Sequence, residues 1–398
     1  MYKISQYQIV IDRLREKRKF IQVIMGPRQI GKTTVVKQAL QALDDEISYL
    51  MFSADDIPAT QNSWISDCWT AARTRIRIEN KKNFVLIIDE IQKLVGWSEV
   101  VKKEWDEDSF NDLDLKVILL GSSRVLLQKG LADSLAGRFE TIKMTHWNYA
   151  EMRDAFGMTL DEYIYYGGYP GAASLIKDSD RWSNYIKDSI MDATINKDIL
   201  VDMPIGKPAL LRQTIELGAA YSGQIVSLTK MVGSLQDAGN STTLSGYLNL
   251  LKDSGLLAGI QKFSIDNARQ RASIPKFQVF NSALRNIYSG YSFQEAIRDP
   301  KVWGHIFESA IGAHLLSGAI TGNYEVYYWR DGDLEVDFVI KKNQKMVAIE
   351  VKSNTDTTNK GLVKFREQYK PHNSIVVGRG GISAELFLGV NPAKLFDK

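Results

Sequence analysis

The sequence predicts an α/β protein whose first third is built on a parallel sheet, with helical and mixed segments following. Three observations carry that prediction. Short, continuously apolar runs recur as FIQVIM, ISYLMF, FVLII and KVILL. Longer stretches of helical character separate them, and a Gly-rich turn joins the first run to the first helix. A strand that is apolar at every position is buried on both faces, as happens when helices cover both sides of a parallel sheet. The composition agrees. The chain has 398 residues, 44% of them hydrophobic and 24% charged, with 10% aromatics. That suffices for two or three domains with real cores and excludes disorder as the dominant state.

Taken in order, the strand from Phe20 leads into a helix over about 33–43, and the three further strands follow with helices between them. From about 146 to 200 the pattern is helical and aromatic, broken at Tyr166-Gly-Gly-Tyr-Pro170. Asp202-Met-Pro-Ile-Gly-Lys-Pro208 reads as a linker. Three helical stretches come next, and Leu244, Tyr247, Leu248 and Leu251 share one helical face. Residues 256–263 then open a β-wing, so that 223–281 resembles a winged helix. The C-terminal part reads helix (303–316), strand (324–329), strand (335–341), strand (345–352), helix, strand (374–378).

Charge and cysteine usage narrow the function classes. Fifty Lys and Arg against 47 Asp and Glu leave +3, so affinity for nucleic acid has to come from local patches. The single cysteine, Cys68, excludes an internal disulfide framework, as a reducing cytosol would. The first twenty residues are charged throughout and lack the apolar core of a signal peptide. The longest apolar runs are strand-length, far short of the ~20 residues a membrane helix needs. The expectation is a cytoplasmic protein without a membrane partner. His146, His305, His314 and His372 show no pairing with cysteine, which argues against a zinc site. Trp97, Trp105 and Trp147 read as packing anchors.

Gly26-Pro-Arg-Gln-Ile-Gly-Lys-Thr33 matches G-x-x-x-x-G-K-[ST] between a strand and a helix. The glycines let backbone N–H groups close around phosphate oxygens. Lys32 reaches β- and γ-phosphates, and the Thr33 hydroxyl ligates Mg²⁺ at the positive end of the helix. FVLIIDE sets Asp89 and Glu90 at the end of a buried strand. An Asp there suits Mg²⁺ through water, and a neighbouring Glu orients and polarises an attacking water. The adjacent pair favours hydrolysis over nucleotide storage. KVILLGSS ends a third strand in polar residues, with Ser122 (or Ser123) a candidate partner of the γ-phosphate or the water. Arg138, in Ser-Leu-Ala-Gly-Arg, is a candidate finger toward a neighbouring subunit's nucleotide.

GPRQIGKTT, LIIDEIQKL, LLGSS, SLAGRFE and YGGYPGA together resemble the prokaryotic AAA-type ATPases that carry a nuclease-like C-terminal domain, itself catalogued as a domain of unknown function. The resemblance covers nearly the whole chain, with the motifs in the family's order. It implies ATP and Mg²⁺ as cofactors. Gly26, Arg28, Gln29, Ile30, Gly31, Lys32, Thr33, Thr34 and Asp89 would then hold nucleotide, with Thr33 and Asp89 toward the metal. It makes Asp89 and Glu90 the second acidic motif, with Glu90 catalytic, Ser122 the sensor and Arg138 the finger. It also implies a helical lid and a homo-oligomer, a hexameric ring in such ATPases. No second sensor arginine stands out in the lid segment.

Near the C-terminus, Glu335-Val-Asp337 is followed by Ile349-Glu350-Val-Lys352 across a turn. Alternation puts Glu350 and Lys352 on one strand face, and a hairpin brings Asp337 alongside. Two carboxylates and a lysine around one point are the set that holds Mg²⁺ and orients water for phosphodiester attack. Glu308, on the preceding helix, adds a carboxylate. This resembles the PD-(D/E)XK nuclease core, with Glu308, Asp337 and Glu350 as metal ligands and Lys352 as the catalytic lysine. Val336 stands where the proline of that name would be. Such domains also serve as DNA-binding platforms that do not cut.

The expected organisation is a P-loop ATPase core (1–145), a helical lid (146–205), a winged-helix-like domain (206–285) and a PD-(D/E)XK nuclease-like domain (286–398). Ser241-Thr-Thr would cap a recognition helix, and Lys262, Arg269, Arg271 and Lys276 would form a basic wing. A second basic stretch comprises Arg73, Arg75, Arg77, Lys81 and Lys82, with one acid, Glu79. The function expected is ATP-driven handling of DNA, with forks and four-way junctions as a subset. An ATP-dependent switch with a non-cleaving scaffold is one alternative. A defence or toxin-like nuclease gated by ATP is another.

Overall fold

The computed structural model describes residues 2–397 apart from 45, 81–82, 123–129, 133, 201–204, 236–239, 267–269, 271–272 and 354–358. The chain divides into two units, Met1–Met144 and Thr145–Lys398. Among the described residues no helix is long and apolar enough to cross a membrane.

In the first unit, α1 (Ser5–Arg15) precedes β1 (Ile21–Met25), α2 (Lys32–Ala42), β2 (Ser48–Ser53), α3 (Ser63–Glu79), β3 (Phe84–Asp89), α4 (Trp97–Phe110), β4 (Leu115–Gly121) and β5 (Phe139–Lys143). The five strands form one parallel sheet in the order β2-β3-β4-β1-β5. β1 and β4 are buried along their whole length, and β3 except at Asp89, as continuous apolar runs require. β5 is absent from the sequence expectation. Its residues, FETIK, are mostly polar and only Ile142 is fully buried, because β5 lies at the sheet edge. Trp69, Phe84, Leu86, Trp97, Trp105 and Leu119 share the core between α3, α4 and the sheet. Burying each such side chain contributes ~1.5–3 kcal/mol. The strand order matters for the site: β4 lies between β1 and β3, so the end of β4 sits between the turn after β1 and the acidic end of β3.

The second unit begins with α5 (Tyr149–Phe156), α6 (Leu160–Tyr166) and α7 (Ser179–Asn184). It continues with α8 (Pro208–Ala220), α9 (Leu228–Ser234), α10 (Ser241–Asp253), β6 (Leu257–Ile260) and β7 (Lys276–Val279). β6 and β7 pair antiparallel, and an isolated bridge joins Ile225 to Lys276. The cap of α10 is Asn240, whose side chain accepts from Thr243 N, one residue ahead of the expected Ser241. Then come α11 (Ser282–Asn286), α12 (Phe293–Arg298), α13 (Pro300–Gly322), β8 (Glu325–Asp331), β9 (Leu334–Lys342), β10 (Lys345–Lys352), α14 (Lys360–Tyr369), β11 (Asn373–Gly378) and α15 (Ala384–Leu388). β11-β10-β9-β8 form a four-stranded sheet in which only β10 and β11 run parallel. α13 outruns its expected length at both ends. Asp299 caps it through the N–H groups of Lys301 and Val302, and Pro300 fits its first turn.

Candidate active site

The turn between β1 and α2 brings the first cluster together. Gln29 and Gly31 both adopt left-handed backbone, with φ of 60° and 89°, and Gly31 caps α2 without a side chain. Alternating handedness in such a turn aims successive N–H groups inward, and the helix dipole adds positive potential there, which suits a polyphosphate. At Gly26 a Cβ would lie 2.4 Å from the Met144 carbonyl oxygen, so only glycine fits. Lys32 is buried, and its Nζ donates to the carbonyls of Gly26 (2.9 Å) and Pro27 (2.8 Å).

Thr33 Oγ1 donates to Asp89 Oδ2 at 2.8 Å. A hydroxyl and a carboxylate side by side at a helix N-terminus are the hard oxygen donors that Mg²⁺ takes, and the residues fit that ion. Burial lifts the Asp89 carboxyl above the usual range, Thr33 opposes the rise and the Glu90 charge adds to it. Glu90 sits in the left-handed region at φ 54°, a conformation that costs a non-glycine residue ~1 kcal/mol or more and turns its side chain off the strand line. Ser122 Oγ, at the end of β4, donates to Glu90 Oε2 at 3.1 Å. Gln92 Nε2 donates to the same oxygen at 2.6 Å. Gln92, within LIIDEIQKL, is a functional residue that the sequence pattern alone does not mark. Ser123 lies outside the described residues.

Arg138 stands elsewhere. Ile21 N donates to its carbonyl, so Arg138 marks the N-terminal end of β1. The P-loop leaves the C-terminal end, roughly 15 Å away at ~3.3 Å per residue. Two guanidinium nitrogens bind Asp106 of α4 at 2.7 and 3.0 Å. Arg73, expected in an open basic stretch, is turned inward onto Glu104 and Asp108, each at 2.7 Å. Arg75 pairs with Glu79, Arg77 is exposed, and Lys81 and Lys82 lie outside the described residues.

In the second unit the chain brings Glu308, Asp337, Glu350 and Lys352 together, with an addition the sequence reading placed wrongly. Lys276 was expected in a basic wing, but its side chain is 0% exposed and cannot meet a phosphate there. Its Nζ lies 2.6 Å from Glu308 Oε1, 3.2 Å from the Asp337 carbonyl oxygen and 3.4 Å from Glu335 Oε1. Burial pushes the Lys276 pKa down, but the charges of Glu308, Asp337 and Glu335 outweigh it and hold it above the ordinary lysine value. Asp337 Oδ2 accepts from Val351 N at 2.7 Å, and Glu350 Oε1 pairs with Lys352 Nζ at 2.9 Å. Burial lifts both carboxyls, and for Asp337 the Glu308 charge adds to the rise. Among the described residues no group of three His, Cys, Asp or Glu side chains is set to hold a metal ion. Glu308 and Glu350, expected as metal ligands with Asp337, are here each paired with a lysine, Lys276 and Lys352. Alternation puts Lys276 and Gln278, two polar residues, on one strand face, which locally reads as solvent-facing, yet both are fully buried. Of the other wing residues, Lys262 is half-buried, and Arg269 and Arg271 lie outside the described residues.

Residues 18–153 match the AAA domain family. An AAA-type ATPase domain occupies this part of the chain. Residues 157–295 and 303–391 each match a domain of unknown function, DUF8612 and DUF4143. The C-terminal match is thus to a domain of unknown function and not to a nuclease family. A Haemophilus influenzae protein described as uncharacterized is 25% identical over 378 residues, 88% of either chain. An uncharacterized Methanocaldococcus jannaschii protein is 25% identical over 363 residues, 85% of this chain and 76% of its own. Among solved structures, a Thermotoga maritima RuvB variant is 18% identical, with 64% of this chain and 87% of that one covered and a TM-score of 0.33. AMPPCP-bound DnaA from Aquifex aeolicus is 16% identical, with 63% and 90% covered and a TM-score of 0.32.

Proposed function

We infer that the AAA-type domain hydrolyses ATP and that the second unit handles DNA under its control, in the cytoplasm, as a homo-oligomeric ring. The observation that carries the first half is the convergence of Thr33, Asp89, Glu90 and Ser122 at the carboxyl ends of β1, β3 and β4. In this reading the Gly26–Thr34 turn binds the phosphates through its N–H groups, and Lys32 neutralises the β- and γ-oxygens. Bound Mg²⁺, held by Thr33 and Asp89, would supply charge neutralisation on the same oxygens. Glu90 takes a proton from the attacking water, while Ser122 fixes the carboxylate that does so.

Two features support DNA as the partner. The order α8, an isolated bridge at Ile225, α9, α10, β6, β7 resembles that of a winged helix, and α10 exposes Ser241, Thr242, Ser245 and Asn249, groups that bind phosphate and base edges. The sequence α13, β8, β9, β10, α14, β11, with Asp337, Glu350 and Lys352 on adjacent strands, supports a nuclease-like fold. Forked and four-way DNA are the substrates that a motor joined to such a domain suits. The embedding of Lys276 among the carboxylates favours the second reading, an ATP-dependent scaffold that holds DNA without cutting it.

The test is ATP turnover in Mg²⁺, alone and with single-stranded, duplex, forked and four-way DNA. Lys32→Ala should abolish turnover. Glu90→Gln should retain nucleotide and slow hydrolysis by about 10²–10⁴. Stimulation by one DNA shape supports the reading. A rate unchanged by every DNA turns it toward a switch acting on protein partners.

A further inference from the structure

We propose that the ammonium group of Lys276 is the resident cation of the C-terminal carboxylate cluster, seated where a nuclease-type centre would hold a divalent metal. The argument begins with strand β7, which carries Lys276 into the interior. Lysine is almost never fully buried unless paired, and its charge is costly there without several partners. Lys276 has them. An ammonium carries three N–H donors, and three acceptors face it: Glu308 Oε1 at 2.6 Å, the Asp337 carbonyl at 3.2 Å and Glu335 Oε1 at 3.4 Å. The Phe338 ring lies 4.7 Å from the nitrogen and adds its negative face. Donors and acceptors therefore match one for one, around a single positive charge.

One oxygen of each carboxylate expected to hold a metal is engaged by a protein donor. Glu308 holds Lys276, Asp337 Oδ2 holds the Val351 N–H, and Glu350 Oε1 holds Lys352. Glu350 Oε2 is buried without a hydrogen-bond partner, and with one oxygen of each carboxylate already engaged the cluster offers protein oxygens for only part of the six or more that a hard divalent cation takes. A protein cation also differs from a metal in what it does. It ties β9 to α13 at all times, it cannot be chelated away, and it binds no water to activate. The domain so built would present a nuclease-shaped surface to DNA while being unable to cut it by metal-assisted chemistry.

The inference rests on the nuclease-like reading for the comparison with a metal centre, and the experiment separates the two. Full-length protein carrying Thr33→Ala, so that the P-loop contributes no metal site, is titrated with Mn²⁺ by electron paramagnetic resonance without nucleotide. No site should be seen. Lys276→Met in the same background should gain one Mn²⁺ per chain, and adding Asp337→Asn should remove it. A site already present before the Lys276 change and lost with Asp337→Asn overturns the proposal, as does a folded Lys276→Met protein that gains none. Should Lys276→Met fail to fold, Lys276→Gln takes its place. The Thr33→Ala chain with Lys276 intact decides independently through its melting temperature in Mg²⁺ against chelator. An unchanged value is expected, and a rise that Asp337→Asn abolishes overturns the proposal, since any ligand held by the native state stabilises it. Loss of all DNA binding would refute the DNA reading and leave the Mn²⁺ result standing. Asp337-dependent cutting in Mn²⁺ would support a nuclease and overturn the resident lysine.

Discussion

Gln92 shows how a single amide can set the geometry of a carboxylate. Its Nε2 and the Ser122 hydroxyl both donate to Glu90 Oε2, at 2.6 and 3.1 Å. A carboxylate only accepts, so the amide must point its nitrogen at Glu90, which fixes the orientation of the whole group. Gln92 Oε1 is then left buried without a hydrogen-bond partner, in a residue only 6% exposed. An unmet buried acceptor costs ~1–3 kcal/mol, which opposes folding and is offset by the packing of the neighbouring Ile91 and Leu94. In Gln92→Leu the packing stays and the donor goes. Hydrolysis should fall about tenfold, equivalent to ~1.4 kcal/mol, while nucleotide affinity stays within about twofold. Turnover and binding of a fluorescent ATP analogue measure the two separately. An affinity loss as large as the rate loss would assign Gln92 to the shape of the loop and not to Glu90.

At the scale of elements, the break after α6 is a packing device. At Gly168 a Cβ would lie 2.0 Å from the Trp147 carbonyl oxygen, and Trp147 N in turn donates to the Gly168 carbonyl. Backbone meets backbone there, so no flexible neighbour can give way. Gly168→Ala should destabilise the second unit by about 2 kcal/mol or more, read as a lower urea midpoint, and leave nucleotide binding in the first unit intact. The same contrast explains what was legible in the sequence. β1, β3 and β4 announce themselves as continuous apolar runs, and the P-loop and Asp89-Glu90 are contiguous motifs. β5 is hidden because an edge strand needs few apolar residues. The C-terminal strands emerged because alternation and turns bound them tightly. Lys276 was misread because its partner Glu335 lies 59 residues away, and nothing local distinguishes a buried lysine from a surface one. The role of Gln92 is invisible in the sequence because its partner oxygen is defined by the backbone turn at Glu90, which no periodicity reveals.

Over the whole molecule, pH and subunit exchange test different parts of the chain. His146 and His314 are fully buried, and burial pushes them down to about 3 and about 4. Their folded values lie below the unfolded ~6.5, so the stability they contribute is present above pH 6.5 and lost as pH falls toward 4. Together that is roughly 3–5 kcal/mol between pH 7 and 4.5. The raised carboxyls Asp337 and Glu350 work the opposite way, losing stability as pH rises from the ordinary carboxylate range through their elevated values. The difference between parent and His314→Gln isolates the histidine, and the variant should show the flatter slope in urea unfolding from pH 7 to 5. Arg138 carries the remaining prediction. It lies at the end of β1 opposite the P-loop and cannot reach its own nucleotide without leaving the strand, so any catalytic use requires a second copy. Arg138→Ala should bind ATP normally and hydrolyse it ~10³-fold more slowly, the range of an arginine finger. Mixing it with Glu90→Gln protein creates interfaces that pair an intact Glu90 with an intact Arg138, and turnover should partly return. Asp106→Asn supplies the control, because it breaks the in-chain pair and leaves the arginine. If the pair with Asp106 matters only for folding, Asp106→Asn will fail alongside Arg138→Ala and mixing will restore nothing. If Arg138 serves a neighbour, Asp106→Asn will keep its turnover, since the carboxylate competes with that neighbour for the same guanidinium.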